Sequence, residues 1–87
     1  MTYQVDIHPA ALRELQKLPR AAFGEALKAI LGLVTEPRPH GIKAMTGEPS
    51  GTYRLRAGDY RVIYVVDDGP RTVTVYRVGN RREVYER

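Results

Sequence analysis

At 87 residues, with 43% hydrophobic and 28% charged side chains, the chain has material for one small folded domain over 1–87 and none to spare for a second. It holds no cysteine, which excludes a disulfide framework and thiolate metal sites and points to a reducing, cytoplasmic setting. The net charge of +4, from 14 Lys plus Arg against 10 Asp plus Glu, suits an acidic partner, either nucleic acid or protein.

The chain opens with "TYQVDI" at 2–7, a strand pattern that sets Tyr3, Val5 and Ile7 on one face. The start lacks the apolar core of a signal peptide, and no apolar run is long enough to span a membrane. Pro9 suits a first helical turn, and "AALRELQKL" gathers Ala11, Leu12, Leu15 and Leu18 on one side until Pro19 ends the helix. A second helix is predicted over about 20–34, with Phe23, Leu27, Ile30 and Val34 as its apolar stripe. Gly24 and Gly32 weaken it intrinsically, so packing has to hold it, and Pro37 and Pro39 stop it. The stretch 35–51, "TEPRPHGIKAMTGEPSG", is rich in Pro and Gly without a period; connections this long are often functional. Strands follow at 52–57, 60–67 and 71–78, with "DDGP" at 67–70 as a turn. The predicted fold is α+β. An N-terminal strand and a two-helix antiparallel hairpin precede a three-stranded antiparallel meander, and the helices cover one face of a single four-stranded sheet.

"YRLRAGDYRVIY" at 53–64 carries the chemistry. With Gly58-Asp59 as the centre of a type II′ hairpin turn, Arg56 faces Arg61, Leu55 faces Val62, Arg54 faces Ile63 and Tyr53 faces Tyr64. Alternation then sends Tyr53, Leu55, Tyr60, Val62 and Tyr64 toward the helices, and Arg54, Arg56 and Arg61 to the opposite face. Like charges set across a strand pair lose a few tenths of a kcal/mol to about 1 kcal/mol. Stability alone does not select that arrangement. Guanidinium groups around one point are suited to grip a phosphate bidentately. If Val73 and Val75 share the arginine face, Arg77 and Arg81 extend the same basic floor. His8 at the strand–helix junction reads as a local hydrogen-bonding residue, and neither it nor His40 has partners at metal-ligand spacing. No metal and no cofactor are expected.

Together, "YRLRAGDYRVIY", "VYRVGNRREVY", "ALRELQKLP" and "EPRPHGIKAMTG" resemble the RelE/ParE superfamily of bacterial toxins over nearly the whole chain. The resemblance to the RelE branch implies a metal-independent endoribonuclease that cleaves messenger RNA in the ribosomal A site. Its implied partners are the ribosome, mRNA and a co-expressed antitoxin whose segment wraps and neutralises it. By motif position the implied catalytic residues are Arg56, Arg61, Arg81 and Tyr85. Arg54 and Arg77 are expected to bind RNA. Tyr85 enters by resemblance alone. Where this chain has Arg54 and Arg56, the best-known RelE members carry lysine, which can lose its proton beside other cations; arginine effectively cannot. The general base is therefore unassigned. Two rivals stay open: a ParE-type toxin that blocks DNA gyrase without cleaving anything, and a non-catalytic member that only binds antitoxin or RNA.

Overall fold

A computed structural model describes residues 2–80 of the chain. His8 opens the first helix by turning its ring back on the backbone: its Nδ1 accepts the Ala10 N–H at 3.2 Å, and Pro9 occupies the first turn, where a missing N–H costs nothing. This helix, α1, runs Pro9–Gln16 after strand β1, Gln4–Ile7. Pro19 separates it from α2, Arg20–Gly32. The stretch predicted as the last turn of α2 tightens into i→i+3 bonds from Leu33 to Ile30 and from Val34 to Leu31, a common way to satisfy the end of a helix.

The remaining strands are β2 (Lys43–Ala44), β3 (Thr52–Ala57), β4 (Tyr60–Asp67) and β5 (Thr72–Asn80). They form one five-stranded sheet in the order β1-β5-β4-β3-β2. The N-terminal strand lies parallel to β5, with Val5 beside Val73 and Ile7 beside Val75; the other pairings are antiparallel. The expected four-stranded sheet thus gains a fifth strand. Two residues inside a Pro- and Gly-rich stretch carry no readable period, so β2 leaves no mark in the sequence.

Both helices cover the same sheet face. Ala11 and Leu15 of α1, with Ala26 and Ile30 of α2 and Leu33 just past it, share a core with Val62, Tyr64, Val66, Val73, Val75 and Val78. Each fully buried aliphatic side chain contributes about 1.5–3 kcal/mol relative to exposure. The buried face of α2 is rotated from the expected stripe: Ala26 and Leu33 join Phe23 and Ile30 in or against the core, and Leu27 and Val34 are only half-buried. Leu12 of α1, expected inward, is exposed. Ala26 is fully buried, and small residues carry little weight in an apolar stripe.

A β-bulge interrupts the β4–β5 ladder. Ile63 pairs with Arg77 but Tyr64 pairs with Val75, so Tyr76 is the extra residue. This overturns the parity assumed for the last strand. Val73 and Val75 face the helices and are fully buried, and only beyond the bulge does Arg77 return to the opposite face.

Candidate nucleic-acid interface

The β3–β4 hairpin has the register read from its turn. Arg56 pairs with Arg61, Arg54 with Ile63, Leu55 with Val62 and Tyr53 with Tyr64. Gly58 adopts φ 63° while Asp59 keeps a negative φ, which makes the turn type II′. Leu55 and Tyr53 pack against the core under the helices, so Arg54, Arg56 and Arg61 start from the other face. The three are not equivalent. Arg61 is only 7% exposed, and its Nη1 donates to the Tyr60 carbonyl at 3.2 Å. Arg56 is exposed, and its Nε donates to the Gly58 carbonyl across the turn at 3.3 Å. Arg54 is half-buried. Across from Arg61 on β5 stands Gly79, which adds no side chain to the row.

Arg77 reaches the arginine face by register but does not extend toward Arg61. Its Nε donates to both carboxylate oxygens of Glu14 in α1, at 3.3 and 3.1 Å, and the same carboxylate accepts the Val78 N–H at 2.8 Å. An ion pair this exposed contributes little to stability; its effect is to hold the Arg77 side chain at the edge of β5. Arg81 and Tyr85, expected in the site, lie outside the described residues.

One cation was not foreseen in this place. Lys43 on β2 pairs directly with Arg54, and residues directly opposite on neighbouring strands share a face. Lys43 therefore joins the arginine face, and it is exposed. The segment carrying it is anchored by a polar clamp at the far end of the sheet. Arg38 binds Asp68 bidentately, at 3.1 and 2.8 Å, and donates from Nε to the Tyr53 hydroxyl at 3.1 Å. Tyr3 donates its hydroxyl to the same Asp68 at 2.6 Å. These two donors hold the Asp68 carboxyl below its ordinary range, the Arg38 guanidinium most of all. Tyr64, fully buried, donates to the Pro37 carbonyl at 2.9 Å, and burial pushes its phenol pKa up. A stretch without apolar period is thus pinned by side-chain chemistry, which spacing alone does not reveal.

Among the described residues no His, Asp and Glu side chains gather in a group that would hold a metal ion, and no helix is long and apolar enough to cross a membrane. The family model for the ParE toxin of type II toxin–antitoxin systems matches residues 5–85. The chain belongs to the RelE/ParE toxin superfamily. Toxin RelG of Mycobacterium tuberculosis is 36% identical over the full length of both chains. A chain of the RelBE2 toxin–antitoxin complex from Mycobacterium tuberculosis has the same fold, with a TM-score of 0.81 at 33% identity, covering 93% of this chain and 100% of that one. A chain of the archaeal RelE–RelB complex from Pyrococcus horikoshii matches with a TM-score of 0.77 at 35% identity, covering 93% of this chain and 97% of that one. As a RelE/ParE member the protein is a toxin of a type II toxin–antitoxin system, and its paired arginines ask for a chemical explanation.

Proposed function

We propose that this toxin is a ribosome-dependent endoribonuclease that cuts mRNA, and that Arg56 and Arg61 grip the scissile phosphate. The observation that carries the reading is the cross-strand pairing of Arg56 with Arg61 beside Arg54, a juxtaposition of guanidinium groups that suits a bidentate phosphate clamp. In the reaction the ribose 2′-hydroxyl attacks the adjacent phosphorus. The P–O5′ bond breaks, giving a 2′,3′-cyclic phosphate on one fragment and a 5′-hydroxyl on the other. Negative charge grows on the equatorial phosphate oxygens, where two fixed guanidinium groups stabilise it more than they stabilise the ground state.

Arg81 is assigned to the leaving 5′-oxygen as an electrostatic stabiliser, because its high pKa makes it a poor proton donor. Tyr85 is assigned to stack on a base or to carry a proton. Both assignments follow the family motif. Arg54 fixes the backbone of the flanking nucleotide. No arginine here serves as general base, so the enzyme depends on the ribosome to orient the RNA; positioning alone removes a large share of such a barrier. Its partners on this reading are the ribosome, mRNA and a cognate antitoxin, as the RelE–RelB complexes of its relatives suggest, and it acts in the cytoplasm.

Primer extension on a ribosome-bound message tests this. Wild-type protein is expected to leave cuts at fixed codon positions, and Arg61→Ala to lower the cutting rate by about 10²–10³-fold, the usual cost of one transition-state donor. Intact message together with DNA damage on induction would favour the gyrase-blocking alternative, which the match to the ParE toxin model keeps in view.

A further inference from the structure

We infer that Lys43 and Arg54 form a second phosphate subsite beside the scissile one, so that the sheet grips two successive linkages of a single RNA strand. The inference rests on the RNA reading above and extends it to a residue that the arginine motif does not contain. Two adjacent cross-strand pairs carry it. Arg56 stands opposite Arg61 on β4, and two residues back along β3 Arg54 stands opposite Lys43 on β2. Two residues of strand advance the chain by about 6.7 Å, close to the spacing of successive phosphates along a nucleic-acid strand. Arg54 and Arg56 point to the same face because the pleat repeats every second residue; from β3 one pair extends to β4 and the other to β2, so the four cations run diagonally across one face.

The remaining lysines of the chain, Lys17 and Lys28, belong to the helical layer at the end of α1 and within α2. Lys43 alone is set on the sheet. Its strand is short but held on both sides: Met45 donates its N–H to the Thr52 carbonyl at 3.0 Å, and the Arg38–Asp68 clamp anchors the preceding loop at 2.8 Å. An exposed lysine on a fixed strand presents a point charge whose flexible stem can follow a phosphate, which fits a flanking linkage that must bind without being cut.

The rival explanation is that Lys43 only guards an exposed sheet edge against pairing with another chain. Binding separates the two. The full-length protein is titrated with a short single-stranded RNA, made uncleavable by 2′-deoxy substitution, over a range of salt. Lys43→Ala is expected to weaken binding about tenfold, equally for oligonucleotides of different sequence, and to reduce the log–log salt slope by about 0.7. Lys43→Arg restores both. Affinity and slope unchanged in Lys43→Ala, with Arg56→Ala clearly weakened, would make Lys43 an edge guard and overturn the subsite. Wild-type protein that binds in this Lys43-dependent way but never cuts ribosome-bound message keeps the subsite and removes only the cleavage reading. Wild-type protein that fails to bind the RNA even at low salt overturns the subsite, while cuts at fixed codon positions in ribosome-bound message by the same protein leave the cleavage reading standing.

Discussion

Asp68 shows how a single exposed carboxylate can organise a segment that has no hydrophobic pattern of its own. It accepts from Arg38 of the 35–51 stretch and from Tyr3, which precedes β1, joining the chain's start, its long loop and the β4–β5 turn. The same contacts lower its pKa, with the hydrogen bond from Arg38 first and that from Tyr3 second, and the Tyr3 phenol is raised in return because its proton is held by the carboxylate. A carboxyl whose folded pKa lies below its unfolded value contributes stability above the unfolded value and loses it as pH falls through the folded one. Wild type is therefore expected to exceed Asp68→Asn in stability at neutral pH. The gap should close below the ordinary carboxylate range, as read from urea midpoints across pH; a gap that persists in acid would contradict the ionic origin of the clamp. Arg38 and Asp68 are 30 residues apart, and nothing in residue spacing couples them. That part of the molecule was not legible in the sequence.

At the level of elements, the hairpin was fully legible. Gly58-Asp59 sets a two-residue turn, the turn sets the register, and the register sets the faces. The conformation needs glycine at the first turn position: φ is 63°, and a Cβ there would come within 2.6 Å of Glu25 Oε2 in α2. Gly58→Ala is expected to destabilise the fold by more than about 1 kcal/mol and to disturb the Arg56–Arg61 pairing. Adding Glu25→Ala should recover only part of the loss, because it removes the contact and leaves the backbone strain; full recovery in the double variant would contradict that division. The last strand was misread for a related reason. Regular alternation through Tyr76 does not hold in β5, where one extra residue reverses every face beyond it. Nothing in "VTVYRVG" marks the bulge. Likewise β2 escaped notice because two residues cannot display a period, and with it Lys43 lost its place on the basic face.

Among the described residues, the sheet face under the helices holds the core, and the opposite face sets its cations beside buried Thr52 and Ile63. The core lies under the helices, and four of the chain's 14 Lys and Arg residues, namely Lys43, Arg54, Arg56 and Arg61, originate from the other face of three neighbouring strands. The layered α+β architecture, the helix pair and the family could all be read from pattern and motif. The paired arginines were legible because they sit in a short, regular hairpin. What depended on long-range side-chain contacts was not: Glu14 holding Arg77, and Arg38 holding Asp68. The central claim is that Arg56 and Arg61 act on one phosphate as a unit. A double-mutant cycle on single-turnover cleavage of ribosome-bound mRNA tests it most directly, with Arg56→Ala, Arg61→Ala and the double variant. The double variant is expected to be scarcely slower than the worse single one; losses that multiply would mean that the two guanidinium groups work at separate places.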